Sequence, residues 1–299
     1  MITPSVLKKG DKVAIVATAK RITQEEVSFA VQLIESWGLD VVLGKHLFDI
    51  HHQFAGTDEN RLSDFQTALN NPDIKAIICA RGGYGTVRIV DKIDFSVFQK
   101  HPKWIVGYSD ITVFHSHIFT HFKTETIHST MLISFPTNTP EALESLRKAL
   151  FGEKTEYTIP HHTLNRIGTV SAPIVGGNLS ILQNVAGTNS DISTAGCILF
   201  LEDLDEYLYH IDRMMHNLKK SGKLNKLAGL IVGGMTVMKD NPVPFGKTAE
   251  EIIWDAVKEF DYPVCFNFPC GHIDDNRSLI LGRNASLKVT KTLSYFSQE

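Results

Sequence analysis

The sequence predicts an α/β protein built on a mostly parallel β-sheet covered by helices. Apolar runs of strand length alternate with amphipathic stretches, and 43% of the 299 residues are apolar, which suffices for a full core. Apolar runs cover residues 13–17 and 41–43. Between these runs, apolar side chains recur at helical spacing, at Val27, Ala30, Val31, Ile34 and Trp37. This β-α-β order is typical of parallel strands joined by a helix.

The same alternation continues through the first half of the chain. A second helix is predicted with its cap at Asp58. One face of this helix is apolar, at Leu62, Phe65 and Leu69. Apolar strands follow at residues 76–80 and 104–106.

The periodicity fails between residues 154 and 172, where proline, histidine, asparagine and glycine indicate irregular chain. We therefore predict an N-terminal α/β domain at residues 1–155, a linker at 156–172 and a C-terminal α/β domain at 173–299. In the C-terminal half, strands are predicted at residues 197–201, 227–232, 279–281 and 286–289. One predicted helix begins after Asn178, and two more have apolar faces at Leu208, Ile211, Met215 and Leu218 and at Ile253, Val257 and Phe260.

Composition excludes several classes of function. The formal charge of −3, from 30 basic and 33 acidic side chains, includes no long basic run, so a nucleic-acid partner is not expected. Neither a signal peptide nor a membrane-spanning window is visible, so we expect a cytoplasmic protein without membrane contact. The four cysteines form no C-x-x-C pair, which predicts buried, reduced thiols.

Metal binding is not expected either. His115, His117 and His121 lie on one predicted helix but do not form an H-E-x-x-H pattern. We interpret them as core or solvated histidines, and we expect neither a metal nor another cofactor.

The run Gly107-Tyr108-Ser109 follows an apolar strand and precedes a helix. A sharp turn of this kind lifts a serine Oγ out of the sheet and places backbone N–H groups near a developing oxyanion. The fragment by itself also fits a helix cap, since serine and aspartate are favoured there. Ser109 is therefore a candidate nucleophile with a structural alternative.

A serine nucleophile needs an imidazole to take its proton and a carboxylate to orient that imidazole. The candidates are Glu202 and His272, which follow predicted strands in the second half, where open α/β sheets collect their sites. Glu202 also fits the first turn of a helix, and His272 also fits an ordinary loop histidine.

A glycine-rich turn, ARGGYG at residues 80–85, follows another predicted strand. It lacks the lysine of a phosphate-binding loop and the spacing of a dinucleotide-binding loop. Glycines allow backbone amides to approach a ligand closely, so the turn suits an oxyanion site. The backbone N–H groups of Gly82 and Asp110 are the candidate donors.

Taken together, these segments resemble the LD-carboxypeptidase family of serine peptidases. The resemblance covers almost the whole chain and is carried, in order, by FAGTDENR (54–61), ARGGYG (80–85), GYSDIT (107–112), GGNL (176–179), LED (201–203) and GH (271–272).

The resemblance implies a triad of Ser109, Glu202 and His272, with an oxyanion hole formed by the amides of Gly82 and Asp110. It also implies a fold: an N-terminal domain similar to class I glutamine amidotransferases and a smaller C-terminal α/β domain. The active site would lie between the domains, and the protein would form a homodimer.

The activity implied by the resemblance is release of the terminal D-Ala from murein tetrapeptide, or from a muropeptide, in cytoplasmic peptidoglycan recycling. The alternative within the same family is a microcin-immunity-like peptidase that hydrolyses peptidyl- or aminoacyl-nucleotides. The short segment at residues 235–246 favours the murein substrate, whereas Phe245 within it keeps the alternative open.

Recognition of a free carboxylate favours a cation near the oxyanion hole, and Arg81 is the nearest candidate in sequence. A salt bridge that ties down the glycine turn is the alternative role for Arg81. Residues 17–20 (ATAK) depart from the Pro-Ser-Gly-like turn common in the family, which would alter specificity if this turn touches the substrate.

Overall fold

A computed structural model describes residues 1–299 and contains two β-sheets with helices packed against them. The N-terminal half supplies five parallel strands, β1 (Lys12–Val16), β2 (Asp40–Leu43), β3 (Ile74–Cys79), β4 (Trp104–Gly107) and β5 (Thr126–His128). Their order is β2-β1-β3-β4-β5, and a sixth strand from the C-terminal half, described below, completes the sheet beside β5.

Five α-helices accompany this sheet: α1 (Gln24–Ser36), α2 (Asp58–Asn70), α3 (Ser96–Lys100), α4 (Thr112–Phe122) and α5 (Pro140–Phe151). The apolar face predicted for α1 is confirmed, because Val27, Ala30 and Ile34 are buried. The predicted cap of α2 is wrong by one residue. Thr57 caps the helix by accepting a hydrogen bond from the backbone N–H of Asn60 at 3.3 Å.

Both faces of the first sheet are buried. Along β1, Val13 and Ile15 pack into one apolar core, whereas Ala14 and Val16 pack into the core on the opposite face. Burial on both faces explains why these strands are continuous apolar runs without alternation.

The second sheet has seven strands: β6 (Thr155–Pro160), β7 (Gly168–Asn178), β8 (Ile198–Leu204), β9 (Gly229–Thr236), β10 (Val264–Cys265), β12 (Asn284–Val289) and β13 (Leu293–Gln298). Their order across the sheet is β10-β9-β8-β7-β12-β13-β6, and β7 to β10 are parallel. Three helices accompany the sheet: α6 (Leu179–Val185), α7 (Leu208–Lys220) and α8 (Ala249–Val257).

The linker predicted at residues 156–172 is irregular only at residues 161–167. It contains most of β6 and the first part of β7. In β6, buried residues (Thr155, Tyr157 and Ile159) alternate with exposed residues. This alternation is expected of an antiparallel strand with one solvent-exposed face. The irregular residues 161–167 between the two strands obscured this alternation in the sequence.

A single strand from the C-terminal half, β11 (Leu279–Leu281), pairs antiparallel with β5 in the first sheet. Its middle residue, Ile280, packs into the core beneath the first sheet. Leu279 and Leu281 point the other way and pack into the core of the second sheet. Because alternate side chains of a strand face opposite sides, this one strand joins both cores.

The chain is therefore a mixed α/β structure of two domains with parallel-rich sheets, as the sequence predicts. All four cysteines are buried and unpaired. None of the helices combines the length and the apolarity needed to cross a bilayer.

The position of Ile280 yields a stability prediction. Replacing Ile280 with Ala removes a side chain that is 2% exposed and leaves a cavity in the core of the first sheet. We expect the free energy of unfolding, measured in urea, to fall by about 2–4 kcal/mol. Val243→Ala, at a side chain that is 82% exposed, serves as the control and should change it by less than about 0.5 kcal/mol. Equal effects of the two substitutions would contradict this role of β11.

Candidate active site

Ser109 lies just beyond the carboxyl end of β4, in a short 3-10 turn that leads into α4. Its backbone φ is +61°, in the left-handed region that a residue with a Cβ adopts at a cost of about 1–2 kcal/mol. This conformation is the sharp strand-to-helix turn that the sequence predicts for a serine nucleophile.

A buried histidine supports this turn. The Nε2 of His115 donates to the backbone carbonyl of Gly107 at 2.8 Å, while its Nδ1 bonds to the hydroxyl of Thr126 at 2.8 Å. Burial lowers the pKa of His115 to about 4, so the ring is neutral and its two nitrogens can donate and accept. The sequence predicts a core or a solvated histidine at His115, and the structure shows that it is buried and contacts the serine turn.

The glycine turn after β3 lies against Ser109. A Cβ added to Gly82 would stand 3.3 Å from the Oγ of Ser109 and 3.1 Å from its Cβ. Glycine at this position therefore brings the backbone of the turn close to the serine hydroxyl.

The side chain of Asp110 ties the glycine turn to the serine turn. Its Oδ2 accepts a hydrogen bond from the backbone N–H of Thr86 at 2.9 Å. Burial raises the pKa of this carboxyl group, and the bonds from Thr86 act in the opposite direction. The carboxyl group thus holds two loops together, while the backbone N–H of Asp110 remains the candidate oxyanion donor.

His272 and Glu202 form a close pair. The Nδ1 of His272 and the Oε2 of Glu202 are 2.6 Å apart. Glu202 is completely buried within β8, and His272 lies in the loop between β10 and β11. The ring of Tyr108 packs against the imidazole with 4.8 Å between ring centroids.

The backbone beside His272 is adapted to this contact. Gly271 has a φ of +104°, and a Cβ there would stand 2.7 Å from the Cβ of Glu202. The backbone N–H of Gly271 donates to the Oδ1 of Asn276 at 2.8 Å, which holds the loop on its other side. The role of Asn276 was not predicted from the sequence, because no motif around it indicates this hydrogen bond.

The pKa of His272 is raised above its ordinary value. Burial is the largest effect and opposes the charged ring, but the charge of Glu202, its hydrogen bond and the charge of Asp203 together outweigh burial. An imidazolium at this site is therefore stabilised, as a base that must hold a proton during a reaction requires.

Asp203 is a second buried carboxyl group that sequence reasoning missed as a site residue. It accepts hydrogen bonds from the side chain of Asn178 at 2.9 Å and from the backbone N–H of Ser180 at 2.8 Å. Burial, followed by the charge of Glu202, raises the pKa of Asp203 to about 7. Its position directly after Glu202 was the one available signal.

The serine turn, the glycine turn and His272 line one cleft of about 460 Å³. Of the predicted site residues, Arg81, Gly82, Ser109 and His272 line it. Glu202 lies behind His272. The N-terminal half also contributes Lys20 to the lining, and the C-terminal half contributes Asp203.

Arg81 lines the cleft but is engaged by protein groups. Its guanidinium lies 3.7 Å from the carboxylate of Glu26, and Nη1 donates to the backbone carbonyl of Arg21 at 3.3 Å. These contacts are the salt bridge that was the alternative to carboxylate binding. A substrate-binding role for Arg81 stays a prediction.

The two halves of the chain match two family models in succession. Residues 13–129 match the LD-carboxypeptidase N-terminal domain, and residues 171–287 match the LD-carboxypeptidase C-terminal domain.

Individual relatives agree with these matches. A probable murein peptide carboxypeptidase of Bacillus subtilis (strain 168) is 35% identical over 297 residues, which cover 96% of this chain and 92% of the relative. The crystal structure of muramoyltetrapeptide carboxypeptidase from Oxalobacter formigenes has a TM-score of 0.86 at 28% identity and covers 96% of this chain and 98% of that chain. The microcin C7 self-immunity protein MccF of Escherichia coli is 25% identical over 307 residues, covering 90% of this chain and 88% of the relative. The chain thus belongs to the LD-carboxypeptidase family, and it is a carboxypeptidase.

Proposed function

We propose that this carboxypeptidase is a serine peptidase that releases the terminal D-Ala from murein tetrapeptide, with Ser109, His272 and Glu202 as its triad. The observation that carries the proposal is the 2.6 Å contact between His272 and the buried Glu202, together with the cleft that His272 and Ser109 both line. The names of the murein-peptide relatives from Bacillus subtilis and Oxalobacter formigenes support the substrate.

In the proposed mechanism, Glu202 occupies the Nδ1 of His272, so the opposite ring nitrogen, Nε2, is the one available to Ser109. His272 takes the proton of the Ser109 hydroxyl as Oγ attacks the scissile carbonyl carbon. The imidazolium then gives this proton to the departing amine of D-Ala as the C–N bond breaks. A water molecule hydrolyses the acyl-enzyme by the reverse proton route.

Charge on the carbonyl oxygen in the tetrahedral intermediate needs fixed donors. The backbone N–H groups of Gly82 and Asp110 are proposed for this role. Support comes from the close approach of Gly82 to the Oγ of Ser109 and from the bond between Asp110 and Thr86, which fixes one turn relative to the other.

We place the reaction in the cytoplasm, in the recycling of cell-wall peptides. The four buried, unpaired thiols support a reducing compartment, because cysteines in oxidising compartments are commonly paired. A homodimer is also part of the proposal, and light scattering on the purified protein would measure it.

A second candidate function is hydrolysis of a peptidyl- or aminoacyl-nucleotide. It is favoured by the similarity to the self-immunity protein MccF and by Phe245, which is 36% exposed in the loop after β9. That loop reaches the rim of the cleft, because the backbone N–H of Lys239 donates to the carbonyl of Glu206 at 2.8 Å.

The first test is incubation of the purified protein with L-Ala-γ-D-Glu-meso-diaminopimelate-D-Ala, with D-Ala release as the readout. Ser109→Ala should lower the rate by roughly 10⁴-fold or more, because the nucleophile is lost. Ser28→Ala, at an exposed residue of α1, is the matched control and should keep the wild-type rate. Absence of release by the wild type, with turnover of an aminoacyl-nucleotide, would favour the second candidate.

The contact between His272 and Glu202 predicts a pH dependence. The base must be neutral, so kcat/KM should fall as the pH drops through the pKa of His272, which lies above the ordinary 6.5. Glu202→Gln removes the charge that raises this pKa, so the acid limb should move to lower pH, and kcat should fall by roughly 10³-fold or more. Glu156→Gln, at an exposed residue of β6, is the control and should leave the acid limb of the kcat/KM profile unchanged. If the acid limb does not move in Glu202→Gln, the proposed action of Glu202 on His272 is contradicted.

Gly82 allows a more local test. Its φ is not in the left-handed region, so alanine can adopt its backbone, but the new methyl group would crowd the Oγ of Ser109 and the Cε of Met131. We expect Gly82→Ala to lower kcat by about 10²-fold while the thermal unfolding temperature stays within a few degrees. A kcat within twofold of the wild type would argue against the oxyanion role.

A further inference from the structure

Lys20 is a cleft residue that neither the triad nor the oxyanion hole accounts for. The lining of the cleft contains two basic side chains, Lys20 and Arg81. Arg81 has a carboxylate partner in Glu26, whereas no carboxylate lies within 4.0 Å of the Lys20 ammonium. Lys20 also ends the turn at residues 17–20 that follows β1.

The backbone of this segment is firmly held. Ala17, Thr18 and Ala19 are buried after the end of β1. The hydroxyl groups of Thr18 and Thr86 are 2.9 Å apart, and the buried guanidinium of Arg61 donates from Nε to the carbonyl of Thr18 at 3.1 Å. Lys20 therefore extends from a fixed turn, which lowers the entropy lost when its ammonium binds an anion.

The stem of Lys20 lies across the glycine turn. The backbone N–H of Lys20 donates to the carbonyl of Gly82 at 3.4 Å. A Cβ at Gly83 would stand 2.6 Å from the Cδ of Lys20, and Gly83 has a φ of +113°. Glycine at this position thus leaves room for the lysine stem, which is half-buried, while the side chain still reaches the cleft.

Lys20 and Ser109 lie beside adjacent residues of the glycine turn. A Cβ at Gly82 would stand 3.3 Å from the Oγ of Ser109, a Cβ at Gly83 would meet the stem of Lys20, and consecutive Cα atoms are about 3.8 Å apart. In a C-terminal residue the carboxylate carbon lies at most about 4 Å from the scissile carbonyl carbon, as covalent bond lengths dictate. A substrate attacked by Ser109 therefore holds its free carboxylate close to the attacked carbon, in the cleft that Lys20 also lines.

We infer that Lys20 binds the C-terminal carboxylate of the substrate and so restricts the enzyme to carboxypeptidase action. This inference rests on the proposed function and deepens it. An ammonium and a carboxylate in a partly enclosed cleft form a charge-assisted hydrogen bond. A substrate with a neutral end group loses most of the stabilisation that this bond provides. Lys20 acts as a specificity residue and takes no part in bond making.

The test compares two substrates, the tetrapeptide and the same peptide with its C-terminus amidated. We expect the wild type to favour the free acid in kcat/KM, and Lys20→Met to lower kcat/KM for the acid by about 10- to 100-fold, mainly through KM. The same substitution should change kcat/KM for the amide by less than about threefold, so the preference for the acid collapses. Lys20→Arg should restore part of the preference, and Lys226→Met, at an exposed lysine, is the matched control.

Binding separates recognition from turnover. In a Ser109→Ala background, calorimetry should show weaker binding of the acid after Lys20→Met and unchanged binding of the amide. A wild-type preference that persists in Lys20→Met would overturn the inference and leave the proposed function standing. The inference would also be overturned if Arg81→Met, and not Lys20→Met, lost the preference for the free acid. That result would assign carboxylate binding to Arg81. If the wild type cleaves neither peptide, releasing neither D-Ala from the acid nor D-alaninamide from the amide, the proposed function itself fails.

Discussion

The pairing of β11 with β5 is the constraint on which the candidate site depends. This strand comes from the C-terminal half, yet it completes the first sheet and sends side chains into both cores. His272 precedes β11 by one short loop, and Ser109 follows β4, the neighbour of β5. Two further contacts fix the halves, a 2.7 Å bond between the hydroxyl groups of Ser129 and Ser278 and a 2.8 Å ion pair between Glu125 and Arg283. Sheet register therefore brings His272 and Ser109 into the lining of one cleft.

The serine turn is strained, and its surroundings hold it. A positive φ at Ser109 persists only when neighbouring contacts over-determine the backbone. Below the turn, neutral His115 binds the carbonyl of Gly107, and on its flank Asp110 binds the glycine turn through Thr86. Both side chains are buried, so water does not compete for these bonds. The same contacts that keep the strained turn in place also position the two candidate oxyanion donors.

Charge in the cleft is divided between the two halves of the chain. Lys20 and Arg81 come from the N-terminal half, whereas Asp203, Asp205 and Glu206 come from the C-terminal half. In the proposed mechanism, reaction type depends on the serine, the imidazole and the buried carboxylate. Substrate choice depends instead on the charged groups around them.

The sequence by itself determined the α/β class and the parallel strands of the first sheet, and it supplied the residues proposed for the triad, because apolar periodicity and strand-end motifs are local signals. It failed within residues 156–172, where the irregular residues 161–167 obscured β6 and the start of β7, and it did not identify Asp203, Asn276 or the supporting role of His115. It singled out the turn at residues 17–20 but assigned no role to Lys20. Each of these roles depends on a contact made in the fold, either between segments far apart in the chain, such as Lys20 with Gly83, or across a loop, such as Asn276 with Gly271. Local patterns do not record such contacts. The tertiary structure decided which half supplies which charge to the cleft, and it placed His272 against Glu202, because only sheet register brings residues 70 positions apart within 2.6 Å.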